Sequence, residues 1–342
     1  MPKRFHQRAI NNILDQFSNE QGTLKLASSQ TEIFSSPKTG FAIERNSMVH
    51  NSDVVNLHWV SNYINYESFF KEVKKPMVWT LHDLNILHGG YHFDIDIQDS
   101  AEISALDLKY KNIKRDAIRN CDITFVAPSK WLKNRLLQDD FFKNYQVRHI
   151  PYGVDTNLYR PMSKSVAREV LNLESDKKYL LIAAHNQHIE RKGFKYLSES
   201  IDSIYEDSNV EFVSVGNTNY NEKVTFLGYI SDPFLMKVIY NAVDGLVFPS
   251  IEDNLPNIVL EALACGTPVI CFNQGGMPDM VIDEENGFIA DSLTGDDLLK
   301  KIRRLLNTKE LDRNRIREIT VQNYSLDRQA KGYLDLYAEV GT

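Results

Sequence analysis

Two carboxylates, Asp253 and Glu261, stand in the most informative stretch of this chain, residues 246–271. Leu246-Val247-Phe248 is a short apolar run closed by Pro249, which fits a buried parallel strand. Asp253-Asn254-Leu255-Pro256-Asn257 is turn chemistry, in which Asn254 or Asn257 could cap a helix. Residues 258–265 are helical in composition, Gly266 stands where a left-handed C-cap is wanted, and Pro268 stops the helix before a second apolar run at 269–272. A helix that starts just past a strand offers backbone N–H groups and the positive end of its dipole to an anion. Carboxylates before and within that helix can accept hydrogen bonds from sugar hydroxyls, so the chemistry suits a nucleotide sugar.

Other residues carry charge or close backbone approach to strand ends. Arg191-Lys192-Gly193 follows an apolar strand at 179–184 through the polar loop 185–190 and opens a helix at 193–205, where a diphosphate could bind. His82-Asp83 ends a strand at 76–81, at the carboxyl edge where open α/β sheets bind ligands. Gly89-Gly90 follow, with His88 and His92 beside them, but the spacing of these histidines and of the aspartates matches no metal motif, and no metal is expected. The backbone of Gly228-Tyr229-Ile230, after a strand at 224–227, could pair with a nucleobase edge. Gly275-Gly276, after the strand at 269–272, permits close approach of a ligand. Lys109, Lys111, Lys114, Arg115 and Arg119, with Lys130, Trp131, Lys133 and Arg135, read first as a solvated face. Their second reading is contact with a lipid-linked acceptor at an anionic membrane.

The elements that must hold these residues alternate along the chain. Helical spacing is seen at 5–17, 66–73, 109–119, 129–137, 233–241, 298–306 and 326–337, with a weak strand at 23–27 and further strands at 53–59, 122–126, 147–150 and 210–215. Such alternation implies parallel, doubly wound sheets. A length of 342 residues suits two domains, and 42% apolar with 25% charged residues is ordinary for a globular chain. The first 150 residues carry a net charge of +2 and the rest −9, which argues against a nucleic-acid partner. Cys121, Cys265 and Cys271 form no CxxC pair, so neither a disulfide framework nor a zinc site is indicated. The N-terminal residues have no apolar signal region and no run is long enough to span a membrane, so a cytoplasmic location is expected, compatible with association at the inner face of the membrane.

Through Asp253, Glu261, Ala262 and Cys265-Gly266-Thr267-Pro268-Val269, the stretch resembles the signature of the retaining glycosyltransferases of family 4, which have the GT-B fold. The family writes its first acid as Glu; here it is Asp253. The resemblance covers most of residues 50–342 and implies an α/β fold of two Rossmann-like domains facing a cleft. The expected boundaries are 1–157 plus 325–342 for the acceptor side and 158–324 for the donor side. It implies that Lys192 contacts the donor diphosphate, that Arg191 replaces a family arginine whose position falls on Gln187, and that His82 reaches the donor sugar or its phosphate. Family members usually start with a strand and a Gly-Gly loop before the first helix. This sequence begins at the helix, so either that start lies outside it or another loop covers the side.

The function implied is transfer of a sugar from a UDP- or GDP-sugar to a hydroxyl of a glycan or lipid-linked saccharide, with retention and without a metal, in bacterial capsule or lipopolysaccharide assembly. Expected catalytic residues are His82, Asp83 and Asp253. Expected donor-binding residues are Arg191, Lys192, Gly228, Ile230, Asn254, Leu255, Pro256, Asn257 and Glu261. The rivals are a nucleotide-sugar epimerase or glycosyl phosphorylase of the same fold, and a non-catalytic nucleotide-sugar binder. A dinucleotide dehydrogenase is disfavoured, since no Gly-x-Gly-x-x-Gly follows a strand.

Overall fold

A computed structural model describes residues 19–183, 186, 188–205, 209–217, 224–307 and 311–341. The helix expected over 5–17 lies outside these residues, as do His185 and Gln187. The chain forms two compact units. One comprises the residues up to Ala127, Lys133–Arg148 and those from Tyr337; the other comprises Pro128–Leu132 and His149–Leu336.

The first unit is built on four strands, β1 (Val55–Leu57), β2 (Met77–Thr80), β3 (Ile123–Ala127) and β4 (Gln146–His149), in the order β1-β2-β3-β4. The β1–β2 and β2–β3 pairs are parallel. Every residue of β2 and β3 is buried, which is why both read as unbroken apolar runs rather than alternating ones. The helices here are α1 (19–30), α2 (Ser47–Asn51), α3 (Tyr66–Glu72), α4 (Ala101–Ile118) and most of α5 (Lys130–Gln138). The strand expected at 23–27 is helical instead. Leu24 and Ala27, one turn apart, pack with Phe34, Tyr91, Ile103, Leu106 and Tyr110, and this contact overrides the weak alternation. Ser129 caps α5 as its sequence suggests, accepting the Leu132 N–H at 3.0 Å.

The second unit is a six-stranded parallel sheet in the order β10-β9-β8-β5-β6-β7. Its strands are β5 (Lys178–Ala183), β6 (Val210–Val215), β7 (Thr225–Phe226), β8 (Gly245–Phe248), β9 (Val269–Phe272) and β10 (Gly287–Ala290). Its helices are α6 (Lys164–Val170), α7 (Phe194–Tyr205), α8 (Pro233–Ala242), α9 (Asn257–Ala264), α10 (Met277–Met280), α11 (Gly295–Asn307), α12 (Arg313–Tyr324) and α13 (Leu326–Val340), whose last residues count with the first unit. From β5 the chain adds strands outward on one side, β6 and β7, and then on the other, β8, β9 and β10, all of them parallel, so the sheet is doubly wound and the order of connection reverses between β5 and β8. Loops leaving the carboxyl ends of strands on either side of such a reversal diverge and open a crevice. The loops after β5 and β8 are the ones that carry Arg191, Lys192 and Asp253. Two apolar clusters, one on each face of the sheet, hold this frame rigid; one includes Leu181, Val213 and Leu246, the other Leu180, Phe212 and Val247.

Candidate active site

The loops after β5 and β8 touch through their backbones. A single 3-10 turn, Glu190–Lys192, is closed by Gly193 at φ 67°, and a Cβ there would stand 1.9 Å from the carbonyl oxygen of Pro249. Only glycine permits both the left-handed conformation and that approach. The Ile251 N–H donates to the Arg191 carbonyl at 2.8 Å and ties the two loops together.

This lacing brings two cations onto one carboxylate. Arg191 Nη1 lies 2.9 Å from Asp253 Oδ1, and Lys192 Nζ lies 2.9 Å from Asp253 Oδ2. Ser250 Oγ donates to Oδ2 at 2.6 Å. Burial alone would raise the Asp253 pKa, but the charges of Lys192 and Arg191 outweigh it and hold the carboxyl below its ordinary value. Gly275 and Gly276, in the loop after β9, press on the same segment. The Gly276 N–H donates to the Asp253 carbonyl at 2.9 Å, and a Cβ on Gly276 would meet the Asn254 carbonyl oxygen at 1.6 Å.

The start of α9 differs in one respect from the sequence expectation. Neither Asn254 nor Asn257 caps it; Pro256 occupies the N-cap without a side-chain bond, and Asn257 is the first helical residue. Asn254 is drawn away because its Oδ1 accepts from Ser129 Oγ at 2.5 Å. Leu255 is buried in the core and anchors the loop. At its other end α9 closes as expected: Gly266 has φ 73°, and the Gly266 and Thr267 N–H groups donate to the Leu263 and Ala262 carbonyls.

Beside the first turn of α9 lies a cavity of about 620 Å³, lined among others by Ile230, Asn257, Glu261, Tyr159 and Tyr240. Gly228 adjoins it at φ 77°, its carbonyl accepting the Gly216 N–H at 3.0 Å. Glu261 faces this space from the second turn of α9. Burial raises its pKa, and hydrogen bonds from Tyr240 and Tyr159 partly oppose the rise. The Tyr240 hydroxyl, on a fully buried side chain, stands 2.7 Å from Glu261 Oε2. Neither tyrosine announces itself in the sequence, since nothing in the spacing places α8 or Tyr159 against α9.

In the first unit, His82 and Asp83 follow β2 but serve different partners. Asp83 is engaged at both oxygens: Oδ2 accepts from His92 Nδ1 at 2.6 Å and from Trp59 Nε1 at 3.1 Å, and Oδ1 accepts the Asn85 N–H at 2.9 Å. Burial pushes its pKa up, yet the hydrogen bond and charge of His92 bring it below the usual carboxylate range. His92 Nε2 lies 2.9 Å from Ser35 Oγ, a hydroxyl buried in the core. The order Ser–His–Asp is that of a hydrolase triad, but a buried serine cannot meet a substrate, and the arrangement instead orients Asp83. His82 Nε2 meets His58 Nδ1 at 3.0 Å, and His58 follows β1 much as His82 follows β2. Lys114, on α4, is the cation of the basic stretch that turns inward: its ammonium reaches Asn85 Oδ1 at 2.7 Å and the Asn85 carbonyl at 2.9 Å.

Among the described residues, no group of three or more His, Cys, Asp or Glu could hold a metal ion, and no helix is long and apolar enough to cross a membrane. Residues 163–321 match the family model of the glycosyl transferases group 1. An uncharacterized glycosyltransferase of Methanocaldococcus jannaschii is 25% identical over 84% of this chain and 76% of its own length. Among solved structures, sucrose-phosphate synthase from Thermosynechococcus elongatus superposes with a TM-score of 0.69 at 22% identity, over 84% of this chain and 73% of that one. Anabaena HepE, solved in complex with UDP and glucose, superposes with a TM-score of 0.66 at 16% identity, over 85% of this chain and 79% of that one. The structural likenesses carry the fold. With the two parallel sheets, they show an α/β chain of two Rossmann-like units, the GT-B architecture.

Proposed function

We propose that this protein is a retaining, metal-independent glycosyltransferase. It would move a sugar from a UDP- or GDP-sugar to a hydroxyl of a glycan or lipid-linked acceptor, in bacterial surface polysaccharide synthesis. It would act in the cytoplasm, at the inner face of the membrane. Residues 158–324 are the donor-binding domain in this reading, and 1–157 with 325–342 the acceptor side. The observation that carries it is the pair Arg191 and Lys192 held on Asp253, in the loop that leads into α9, the helix whose Asn257 and Glu261 line the cavity.

The chemistry follows from counting partners. A carboxylate has about four acceptor positions. Asp253 uses three, on Arg191, Lys192 and Ser250, and keeps one for a donor-sugar hydroxyl. Glu261, bonded to two tyrosines, keeps two for the vicinal hydroxyls of a ribose. The cations neutralise the diphosphate, and the first turn of α9 adds its dipole. The bond from the anomeric carbon to the phosphate oxygen breaks while the acceptor oxygen bonds to that carbon on the same face. The acceptor proton passes to the departing phosphate oxygen. His82 is assigned to the donor sugar on the family resemblance.

A second reading, a non-catalytic nucleotide-sugar binder, is favoured by the protein partners that both oxygens of Asp253 and both oxygens of Asp83 already hold. Incubation with UDP- and GDP-sugars and glycan acceptors in EDTA separates the two. Release of nucleoside diphosphate together with a product of the donor's own anomeric configuration supports transfer. Binding without release supports the second reading, and a requirement for added divalent metal contradicts the first.

A further inference from the structure

We propose that the loop after β1 is a platform for a neutral saccharide, on which Trp59 stacks against the carbon face of a pyranose ring. It rests on the reading of residues 1–157 as the acceptor side, and names the kind of acceptor. β1 ends at Leu57, and residues 58–65 lead from its carboxyl end to α3. Loops at that edge of an open α/β sheet are where ligands bind. Trp59 stands in this loop with 48% of its surface exposed.

Trp59 is exposed yet fixed. Its Nε1 donates to Asp83 Oδ2 at 3.1 Å, and Asp83 is in turn held by His92 and by the Asn85 N–H. The indole and the His92 ring meet edge to face, with centroids 6.0 Å apart. The one polar atom of the indole is thereby committed to the protein, and what it offers a ligand is carbon. Trp59 also lines a hollow of about 20 Å³, room for a water but not for a sugar ring, so a ring must approach from the solvent side. A locked side chain loses little entropy when a ligand settles on it. The face of its π system is negative and attracts the partly positive C–H groups that line one face of a pyranose.

The rest of the loop suits the same ligand. The Val60 carbonyl accepts from the Tyr63 and Ile64 N–H groups at 3.0 and 3.3 Å, and Ser61 and Ile64 are buried, so the turn is anchored. Asn62, in the left-handed region at φ 64°, and Tyr63 stay outside. Neither the Asn62 amide nor the Tyr63 hydroxyl has a hydrogen-bond partner among the described residues, so both can meet sugar hydroxyls. Tyr63 stacks on Phe41 with centroids 6.5 Å apart at 20°, and both rings are exposed. The Cα atoms of Trp59 and Tyr63 can be no more than about 14 Å apart, within the length of a short oligosaccharide. Exposed aromatic side chains also suit a membrane interface. Charge decides against it here: no Lys or Arg stands between Asn46 and Phe70, whereas Asp53 and Glu67 do, so this segment offers no cation to anionic lipid or to a phosphate.

Titration of the full chain with neutral tetrasaccharides of glucose, galactose and mannose tests this, read by tryptophan emission and saturation-transfer NMR. Vesicles of phosphatidylcholine with phosphatidylglycerol are titrated beside them. At least one tetrasaccharide should bind, shift tryptophan emission to the blue and receive saturation most strongly at the C–H groups of one ring face. Trp59→Ala should weaken that binding roughly tenfold, Trp59→Phe should keep more of it, and Tyr63→Ser, a change at an exposed position, should weaken it severalfold. Thermal unfolding without ligand checks that each variant is folded. No binding by any tetrasaccharide, or equal affinity in parent and Trp59→Ala, would overturn the proposal. So would vesicle binding that Trp59→Ala abolishes, with no saccharide bound. Saccharide binding that depends on Trp59, in a protein without transfer activity, would keep the platform and remove the transferase. Transfer with an acceptor KM unchanged in Trp59→Ala would do the opposite.

Discussion

Lys192 and Asp253 form an ion pair, Nζ to Oδ2 2.9 Å, although 61 residues separate them in the chain. The Lys192 and Asp253 side chains are 15% and 14% exposed, so water screens the pair little. The pair exists because β5 and β8 are neighbours in the sheet and both loops leave on the same edge. With Arg191 on the other oxygen, three charges sum to one positive charge at the place where a diphosphate would lie. A ligand bearing that diphosphate must share the cations with Asp253 or displace it.

Replacing Lys192 by alanine should weaken binding of a nucleoside diphosphate by roughly 1.5–3 kcal/mol, the scale of a charge-assisted hydrogen bond. Binding of the bare nucleoside should change little. Calorimetric titration with both ligands checks this, and equal losses for both would remove Lys192 from the phosphate site.

Asp253→Asn should do the reverse to binding. It removes the internal anion that competes for the two cations, so nucleoside diphosphate should bind as tightly as in the parent or more tightly. Turnover of the complete donor should drop, because the sugar loses its carboxylate. Asp253→Glu should also lose activity, since the extra methylene crowds a carboxylate that already fits between Arg191, Lys192 and Ser250. A gain of activity in Asp253→Glu would mark the site as a weakened one and favour the binding-only reading.

Glu261 sets a pH limit on donor binding. Its folded pKa is raised by burial, so it gains a proton at a higher pH than a free glutamate and then loses acceptor capacity toward ribose. Affinity for nucleoside diphosphate should therefore fall as pH drops through the mildly acidic range. Tyr240→Phe removes a bond that favours the ionised form, worth about 0.5–1.5 kcal/mol, and should move that fall to higher pH. Glu261→Gln should bind weakly at every pH. Affinity measured against pH for the three proteins decides it, and superimposable profiles would detach Glu261 from the ribose.

Lys114 should make stability rise with pH on the alkaline side. Burial pushes its pKa down to about 7, against the opposing pull of Asp83 and Asp107, whereas the unfolded chain keeps the ordinary value of 10.5. Between those two values the unfolded state binds more protons than the folded one, so each pH unit adds up to about 1.4 kcal/mol of stability. The contribution is unfavourable in full below pH 7 and is relieved as the folded lysine loses its proton. Urea melts at several pH values should show the rise in the parent and lack it in Lys114→Met. A flat profile in both would mean that Lys114 is hydrated.

Much of the second unit was legible in residue order. β8, α9 and β9 lie where Pro249, Gly266 and Pro268 place them, because proline and glycine act through local backbone geometry. Strand order is not local, and so the meeting of Lys192 with Asp253, or of Tyr240 with Glu261, could not be read from spacing. Short elements such as α6 and α10 escaped, and so did β10 and α12, for other reasons. β10 has four residues and opens on glycine, and α12 is polar enough that Ile316, Ile319 and Thr320 are its buried face. In the first unit, His82 was legible as a strand-end residue. His58 ends the adjacent strand in the same way and could have been read with it.

The central claim is that the second unit binds a nucleoside diphosphate through Arg191, Lys192 and Glu261. Thermal unfolding of the full chain with UDP, GDP and ADP, their nucleosides and their 2′-deoxy forms tests it most directly, because a ligand that binds only the native state raises Tm. At least one nucleoside diphosphate should raise Tm, its nucleoside and 2′-deoxy form should raise it less, and the shift should vanish in Arg191→Ala/Lys192→Ala. No shift with any nucleotide, or an undiminished shift in the double variant, would contradict the account.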